Sequence, residues 1–379
     1  MSTPLDTPGK KEMSTGVRFV FVLSLVYIFL VGVSLLESGV KVMGADTQEQ
    51  LFSGVSNPLA GLFVGILGTV LVQSSSASTS VIVGLVASGA LGVDAAVPMI
   101  MGANIGTTVT NTLVSLGSIR RSEEFKRAFA AATVHDFFNL LAVGILLPIE
   151  LVTGVLSSTA ESISEQLVGS AGSDWKSPIK AWVKEPVSWV QDLYTDIGFE
   201  VNVLGTAMVL TGLVIVLAAL TFITKNMRRL VADRVERSLN NVLSSGGGTV
   251  AMLLGMIITI SVQSSSITTS IMVPLAAAGV VSIQNIYPVT LGANVGTTIT
   301  ALLAALAASK PEALTVGLVH TLFNVSAIVI LYPIRRIREI PIRLAQGLAE
   351  IAVERQALAV AYVLTSFIIV PLVGVAIFR

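Results

Sequence analysis

The chain has 379 residues, 53% hydrophobic and 12% charged, with a mean hydropathy of +0.84. So little charge cannot cover the surface of a soluble protein of this length, which places the chain in a bilayer. Basic and acidic side chains balance at 23 each, so no basic field invites nucleic acid, and the absence of cysteine excludes disulfides and thiolate chemistry.

Residues 1–16 read as a short cytoplasmic tail. The apolar run Val17 to Val42 is too long for a signal-peptide core and lacks a small-residue cleavage site. A Gly-rich apolar stretch at about 58–91 follows, interrupted by Gln73-Ser74-Ser75-Ser76-Ala77-Ser78-Thr79-Ser80. Ala95 to Leu116 reads as a span carrying Gly102-Ala103-Asn104-Ile105-Gly106-Thr107-Thr108. Beyond a basic loop (Arg120 to Arg127), Ala128 to Leu151 is the next span. Residues 157–200 are polar and read as an extracytoplasmic loop. Its tryptophans, Trp175, Trp182 and Trp189, recur every seven residues and suit an interfacial cap, which Pro178 and Pro186 are expected to break into short pieces.

The second half, residues 201–334, repeats the first. A span (Val201 to Ile223) leads through a basic loop (Lys225 to Arg237) to an apolar stretch at about 246–281. That stretch is interrupted by Gln263-Ser264-Ser265-Ser266-Ile267-Thr268-Thr269-Ser270. Gly292-Ala293-Asn294-Val295-Gly296-Thr297-Thr298 follows, then a span at Leu314 to Ile334. Residues 335–379 form a basic linker and a last span. Gln73 and Gln263 lie 190 residues apart, as do Asn104 and Asn294, and Pro98 and Pro288; His135 and His320 lie 185 apart. One register held over several motifs means duplication. Placing every basic loop in the cytoplasm requires each Gln-Ser-Ser-Ser stretch to dip into the membrane and return. Three crossings then separate the two, which inverts the repeats. The expected fold is an all-α polytopic membrane protein of two inverted repeats, each with a re-entrant helical hairpin and a discontinuous helix.

Backbone that leaves the helix inside a bilayer must be buried in protein or line a cavity. The Gln-Ser-Ser-Ser tips and the Gly-Ala-Asn-X-Gly stretches, read as helix breaks, are such places. Free N–H groups at half-helix starts suit an anion, and freed carbonyls and hydroxyls suit a hard cation such as sodium. Between Pro58 and Gly117 the only charged residue is Asp94, and between Gly246 and Ser309 there is none. An anion held there lacks arginine partners from these stretches, so co-bound cations are the natural counter-charge. Asp136, an acid inside a span, reads as an ion-site residue, whereas His135 and His320 read as interhelical hydrogen bonders.

At these residues the chain resembles the type II sodium-dependent phosphate cotransporters of the Na/Pi-cotransporter family. The match includes both Gln-Ser-Ser-Ser modules, Gly102 to Thr108 with Thr110-Asn111-Thr112, and Arg127-Ala128-Phe129 through Thr133-Val134-His135-Asp136 to Asn139. The resemblance implies sodium-driven import of inorganic phosphate through a plasma membrane by alternating access. Phosphate would be held by Gln73, Ser74, Ser75, Ser76, Gln263, Ser264, Ser265, Ser266, Asn104 and Asn294. Sodium would be held by Ser78, Thr79, Thr107, Thr108, Thr268, Thr269, Thr297, Thr298 and Asp136. Ala130, Ala132 and Asp136 match the family's electrogenic pattern. The short, cysteine-free central loop suggests a bacterial member. No cofactor beyond the coupling ion is implied, and a second copy of the chain is a candidate partner. Residues alone leave open a sodium-coupled carrier of sulfate or carboxylate, or a phosphate-sensing membrane protein that moves nothing; no nucleophile–base pair supports an enzyme.

Overall fold

A computed structural model describes residues 14–44, 47, 57–168, 179–245, 247–308 and 310–379, with the side chains of 229–245 left out. Trp175 and most of the predicted tail therefore lie outside the described residues. The apolar runs form helices because a bilayer leaves the backbone no other partner than itself. In chain order these are α1 (Thr15–Val42), α2 (Pro58–Val72), α3 (Ser75–Ser88), α4 (Val93–Thr107), α5 (Val109–Leu116), α6 (Ser122–Thr153) and α7 (Val155–Val168). Then come α8 (Lys180–Asp196), α9 (Val201–Ser245), α10 (Gly248–Val262), α11 (Ser265–Ala277), α12 (Ile283–Ala307), α13 (Pro311–Leu331) and α14 (Arg335–Glu354). The last span, Gln356–Phe378, is α15 (Gln356–Leu364), a π-helical turn (Thr365–Ile369) and α16 (Val370–Phe378). Six described helices are long and apolar enough to cross a membrane. The chain is an all-α multi-pass membrane protein.

The two halves interlock. In the first half α2 lies along α4, and in the second α10 lies along α12. The helices after the turns cross over: α3 packs on α12 and α13 of the second half, while α11 packs on α5 and α6 of the first. Cations from the opposite half meet the ends of α11 and α3. Arg127 donates from Nε (3.0 Å) and from its terminal guanidinium nitrogen (2.7 Å) to the Ala277 carbonyl at the end of α11, where the helix dipole is negative. A Cβ at Gly89, just past α3, would lie 2.5 Å from Lys310 Nζ.

Four expectations need correction. The Gly-Ala-Asn-X-Gly stretches are not helix breaks. In the second half α12 runs unbroken through it, and in the first the interruption falls at Thr108, beyond the glycines. The glycines serve close packing instead: a Cβ on Gly102 would overlap the Leu62 carbonyl oxygen, and one on Gly292 the Met252 carbonyl oxygen. The basic stretch from Lys225 is a continuation of α9 rather than a loop, and the basic linker after Tyr332 is the amphipathic helix α14, packed on α6. Lastly, α8 continues through Pro186. A proline leaves the carbonyl four residues earlier without its helical donor; that carbonyl, of Trp182, accepts instead from the Tyr27 hydroxyl of α1 (2.9 Å). Val183 and Val187 face inward from α8, and Trp182 and Trp189 face outward.

Gly292→Ala is expected to destabilise the protein by about 1–3 kcal/mol, because the methyl group meets backbone rather than a side chain that can move. Gly144→Ala, with open space around it, is the matched control and should melt no lower than the parent in detergent. Equal melting of the two variants would contradict the packing role.

Candidate functional site

Between α2 and α3 only Gln73 and Ser74 reverse the chain, and between α10 and α11 only Gln263 and Ser264. Gln73 (φ 55°, ψ 27°) and Gln263 (φ 57°, ψ 29°) adopt the left-handed region, the only non-glycine residues to do so among those described. That conformation costs an L-residue about 1–2 kcal/mol, and glycine would avoid the cost. The side chain explains the glutamine. Gln73 Nε2 donates to the Val70 carbonyl (2.6 Å), and its Oε1 accepts from the Thr110 hydroxyl (3.2 Å). Gln263 repeats both bonds, to the Ile260 carbonyl (2.7 Å) and from the Thr300 hydroxyl (2.8 Å). Ser74 and Ser264 then cap the next helices, accepting from the Ala77 amide (3.2 Å) and the Ile267 amide (3.4 Å).

Both turns open on one cavity of about 780 Å³, with Gln73, Ser74, Gln263, Ser264 and Ser266 in its wall. The Ser76 hydroxyl reaches to 3.5 Å from the Gln263 carbonyl oxygen, so the two halves touch there. Helices α3 and α11 both start at this space, and their positive ends favour an anion. Lys225 and Arg228 also line the cavity. Neither belongs to the stretches Pro58 to Gly117 and Gly246 to Ser309, so the cavity gains cationic side chains that those stretches do not supply. The reason is the continuation of α9, which packs on α10 and carries its last apolar turns, and the cations beyond them, past the turns.

Asp136 is buried in α6. Its Oδ2 accepts from the Tyr362 hydroxyl of the last span (3.0 Å) and the Thr112 hydroxyl (3.3 Å), while Oδ1 is buried with no partner. An acceptor-only carboxylate with one oxygen unfilled is a donor set that a cation could complete. The π-helical turn begins three residues after Tyr362, the kind of local rewinding that re-aims side chains at functional positions.

The sequence profile of the Na+/Pi-cotransporter family matches residues 28–169 and 215–346, one stretch in each half. The chain belongs to that family. It is 36% identical to the sodium-dependent phosphate transport protein 2B of Bos taurus and 33% identical to that of Homo sapiens, each over 94% of this chain and 64% of the relative. It is 34% identical to the sodium-dependent phosphate transport protein 2A of Rattus norvegicus, over 92% of this chain and 66% of the relative. The chain thus spans about 64% of the length of the curated 2B relatives. No solved structure matches it.

Of the residues expected to hold an anion, the glutamines, Ser74, Ser264 and Ser266 line the cavity, and Ser75, Ser76 and Ser265 are buried beside the turns. Asn104 and Asn294 are elsewhere, in a polar core between the halves. Asn139 Nδ2 donates to the Asn104 carbonyl (2.7 Å), Asn294 Nδ2 to Asn139 Oδ1 (2.8 Å), and His135 Nε2 lies 2.6 Å from Asn294 Oδ1. The chain ends on a backbone carbonyl, which can only accept, so each amide's direction follows and His135 donates from Nε2. His135 is thus the interhelical hydrogen bonder expected of it, whereas the Nδ1 of His320, expected to be another, is buried without a partner.

The hydroxyls expected around sodium are mostly turned onto their own helices. Ser78 bonds the Ser74 carbonyl, Thr79 that of Ser76, Thr107 that of Ala103, Thr108 that of Ile105, Thr297 that of Ala293 and Thr298 that of Val295. Each oxygen keeps lone pairs for a cation. Thr268 accepts from Thr259 (2.8 Å) across the second turn, and Thr269 pairs with Asn111 (2.7 Å), which also accepts from Ser270 (2.9 Å). Sequence reasoning missed Asn111, Tyr362, Lys225 and Arg228. It also missed Thr110 and Thr300, although these lie 190 residues apart in the same register as the glutamines.

Tyr362→Phe and Asp136→Ala should be coupled, because each removes the other's partner. A double-mutant cycle on unfolding in micelles is expected to give an interaction of about 0.5–3 kcal/mol. Additive effects would contradict the bond.

Proposed function

We propose that the chain imports inorganic phosphate together with sodium by alternating access, with phosphate bound between the two Gln-Ser-Ser-Ser turns. The carrying observation is that both turns and both positive helix ends meet at one cavity. The names of the relatives, sodium-dependent phosphate transport proteins, supply the cargo and the ion. The charge arithmetic fits. A helix start presents roughly half an elementary charge, so two starts supply about one positive charge, short of what a phosphate dianion needs. Lys225 and Arg228 are exposed and screened, suited to drawing the anion in rather than to neutralising it. Sodium ions supply the remainder, which makes binding of anion and cation mutually dependent.

In this reading the units α2–α3 and α10–α11 are re-entrant hairpins of inverted repeats. The amino terminus and the basic ends near Arg120, Lys225 and Arg335 face the cytoplasm of a cell whose plasma membrane holds the protein. The segment around α8 caps the outer face, its outward tryptophans at the lipid boundary. Asp136, with its open oxygen, binds an additional sodium and makes transport electrogenic.

In proteoliposomes, phosphate uptake should follow an inward sodium gradient and stop when potassium replaces sodium; uptake indifferent to sodium would overturn the reading. Asp136→Asn should retain some uptake yet carry no net charge. The pair Lys225→Gln and Arg228→Gln should raise the apparent KM for phosphate roughly threefold to tenfold at low salt, less at high salt, with kcat little changed.

A further inference from the structure

A second cavity, of about 320 Å³, lies at the start of α10, one helix length or about 22 Å from the Gln263 turn. Three helices begin around it: α10 at Gly248, α12 beside Gln284 and Asn285, and α14 at Arg335. None of the three has a side-chain cap; their N-cap residues Gly247, Ser282 and Ile334 make no such bond. The first amides of a helix need acceptors, and here no side chain of the N-cap residues provides them.

The cavity wall also carries donors. Tyr287 is fully buried in this wall, and its hydroxyl has no hydrogen-bond partner. Its ring faces that of Tyr332 (6.1 Å between centroids), and Arg338 lies over the Tyr332 ring at 5.0 Å. The one acid in the wall, Glu339, is taken up by Arg335 (3.1 Å) and Arg343, whose hydrogen bonds hold its carboxyl below the usual carboxylate range. Among the described residues Arg338 pairs with no carboxylate.

Duplication provides the comparison. At the matching place in the first half, α2 is capped by Asn57, which accepts from the Leu59 amide (2.9 Å), and Tyr287 and Tyr332 are replaced by the buried aliphatics Val97 and Leu147. The fold therefore does not require the polar version. We infer that this cavity binds a phosphate group, four acceptor oxygens against helix amides, the Tyr287 hydroxyl and the Arg338 guanidinium. The group comes either as free inorganic phosphate or as the headgroup of an anionic lipid, since α14 beside it exposes Ile340, Leu344 and Ile351 as well as arginines.

The cysteine-free chain allows a direct test. Gln284→Cys places a single thiol in the wall, and its maleimide labelling is followed in nanodiscs of phosphatidylcholine with and without phosphate, and of phosphatidylcholine with phosphatidate. At ten times the Kd of the bound group, labelling should slow about tenfold. Slowing by phosphate assigns the free anion, and slowing by phosphatidate alone assigns the lipid. Either must disappear in Arg338→Gln, weaken in Tyr287→Phe, and survive in Arg338→Lys, which also shows that charge rather than folding is at stake. No slowing by either, or slowing that Arg338→Gln leaves intact, overturns the inference. Adding Gln73→Ala and Gln263→Ala separates it from the transport site: protection lost there would mean that phosphate acts through the turns, overturning this site while leaving the proposed transport standing.

Discussion

A helix that stops inside a membrane protein leaves amides and carbonyls that lipid cannot satisfy, and the two Gln-Ser turns meet that constraint with side chains. Glutamine accepts the left-handed backbone because its amide then ties off the carbonyl of the helix behind it while a threonine from the neighbouring helix holds its oxygen. Serine caps the helix ahead. With the local groups served, the remaining amides at the starts of α3 and α11 are free to face the cavity. The site is thus a by-product of how the chain solves its own hydrogen bonding, which is why both halves build it the same way.

Interlocking of the halves makes the site single. Helix α3 is held by the second half and α11 by the first, and the asparagine chain from Asn104 through Asn139 and Asn294 to His135 ties them at the centre. Where the halves differ, the fold does not demand the residue. Asp136 corresponds to Thr321 and Asn111 to Ala301, and Tyr362 comes from a span outside the repeats. The polar residues around Asp136 have no counterpart in the second half, just as the Tyr287 and Tyr332 cavity has none in the first.

Much of this was legible in the residues. Apolar runs disclosed the membrane class, and the Gln-Ser-Ser-Ser modules, held at one constant spacing, pointed to the turns. The glycines of Gly-Ala-Asn-X-Gly misled because glycine weakens an isolated helix, whereas here tight packing of α4 on α2 and α12 on α10 outweighs that loss. Lys225 and Arg228 were misplaced for a related reason: polar composition after an apolar run reads as a loop, yet α9 continues through them as a helix. Tyr362 gave no local signal. Its meeting with Asp136, 226 residues away, exists only in the folded chain.

The central claim is that two turns, one from each half, form one phosphate site. Equilibrium binding of labelled phosphate in saturating sodium to purified Arg338→Gln protein, in which the second cavity is disabled, counted per chain, tests it most directly. One shared site predicts a single phosphate per chain in that background, with Gln73→Ala and Gln263→Ala each losing it and the double variant doing no worse. Retention of full stoichiometry by either single variant, or loss of only half, would show that the turns act separately and would contradict the account.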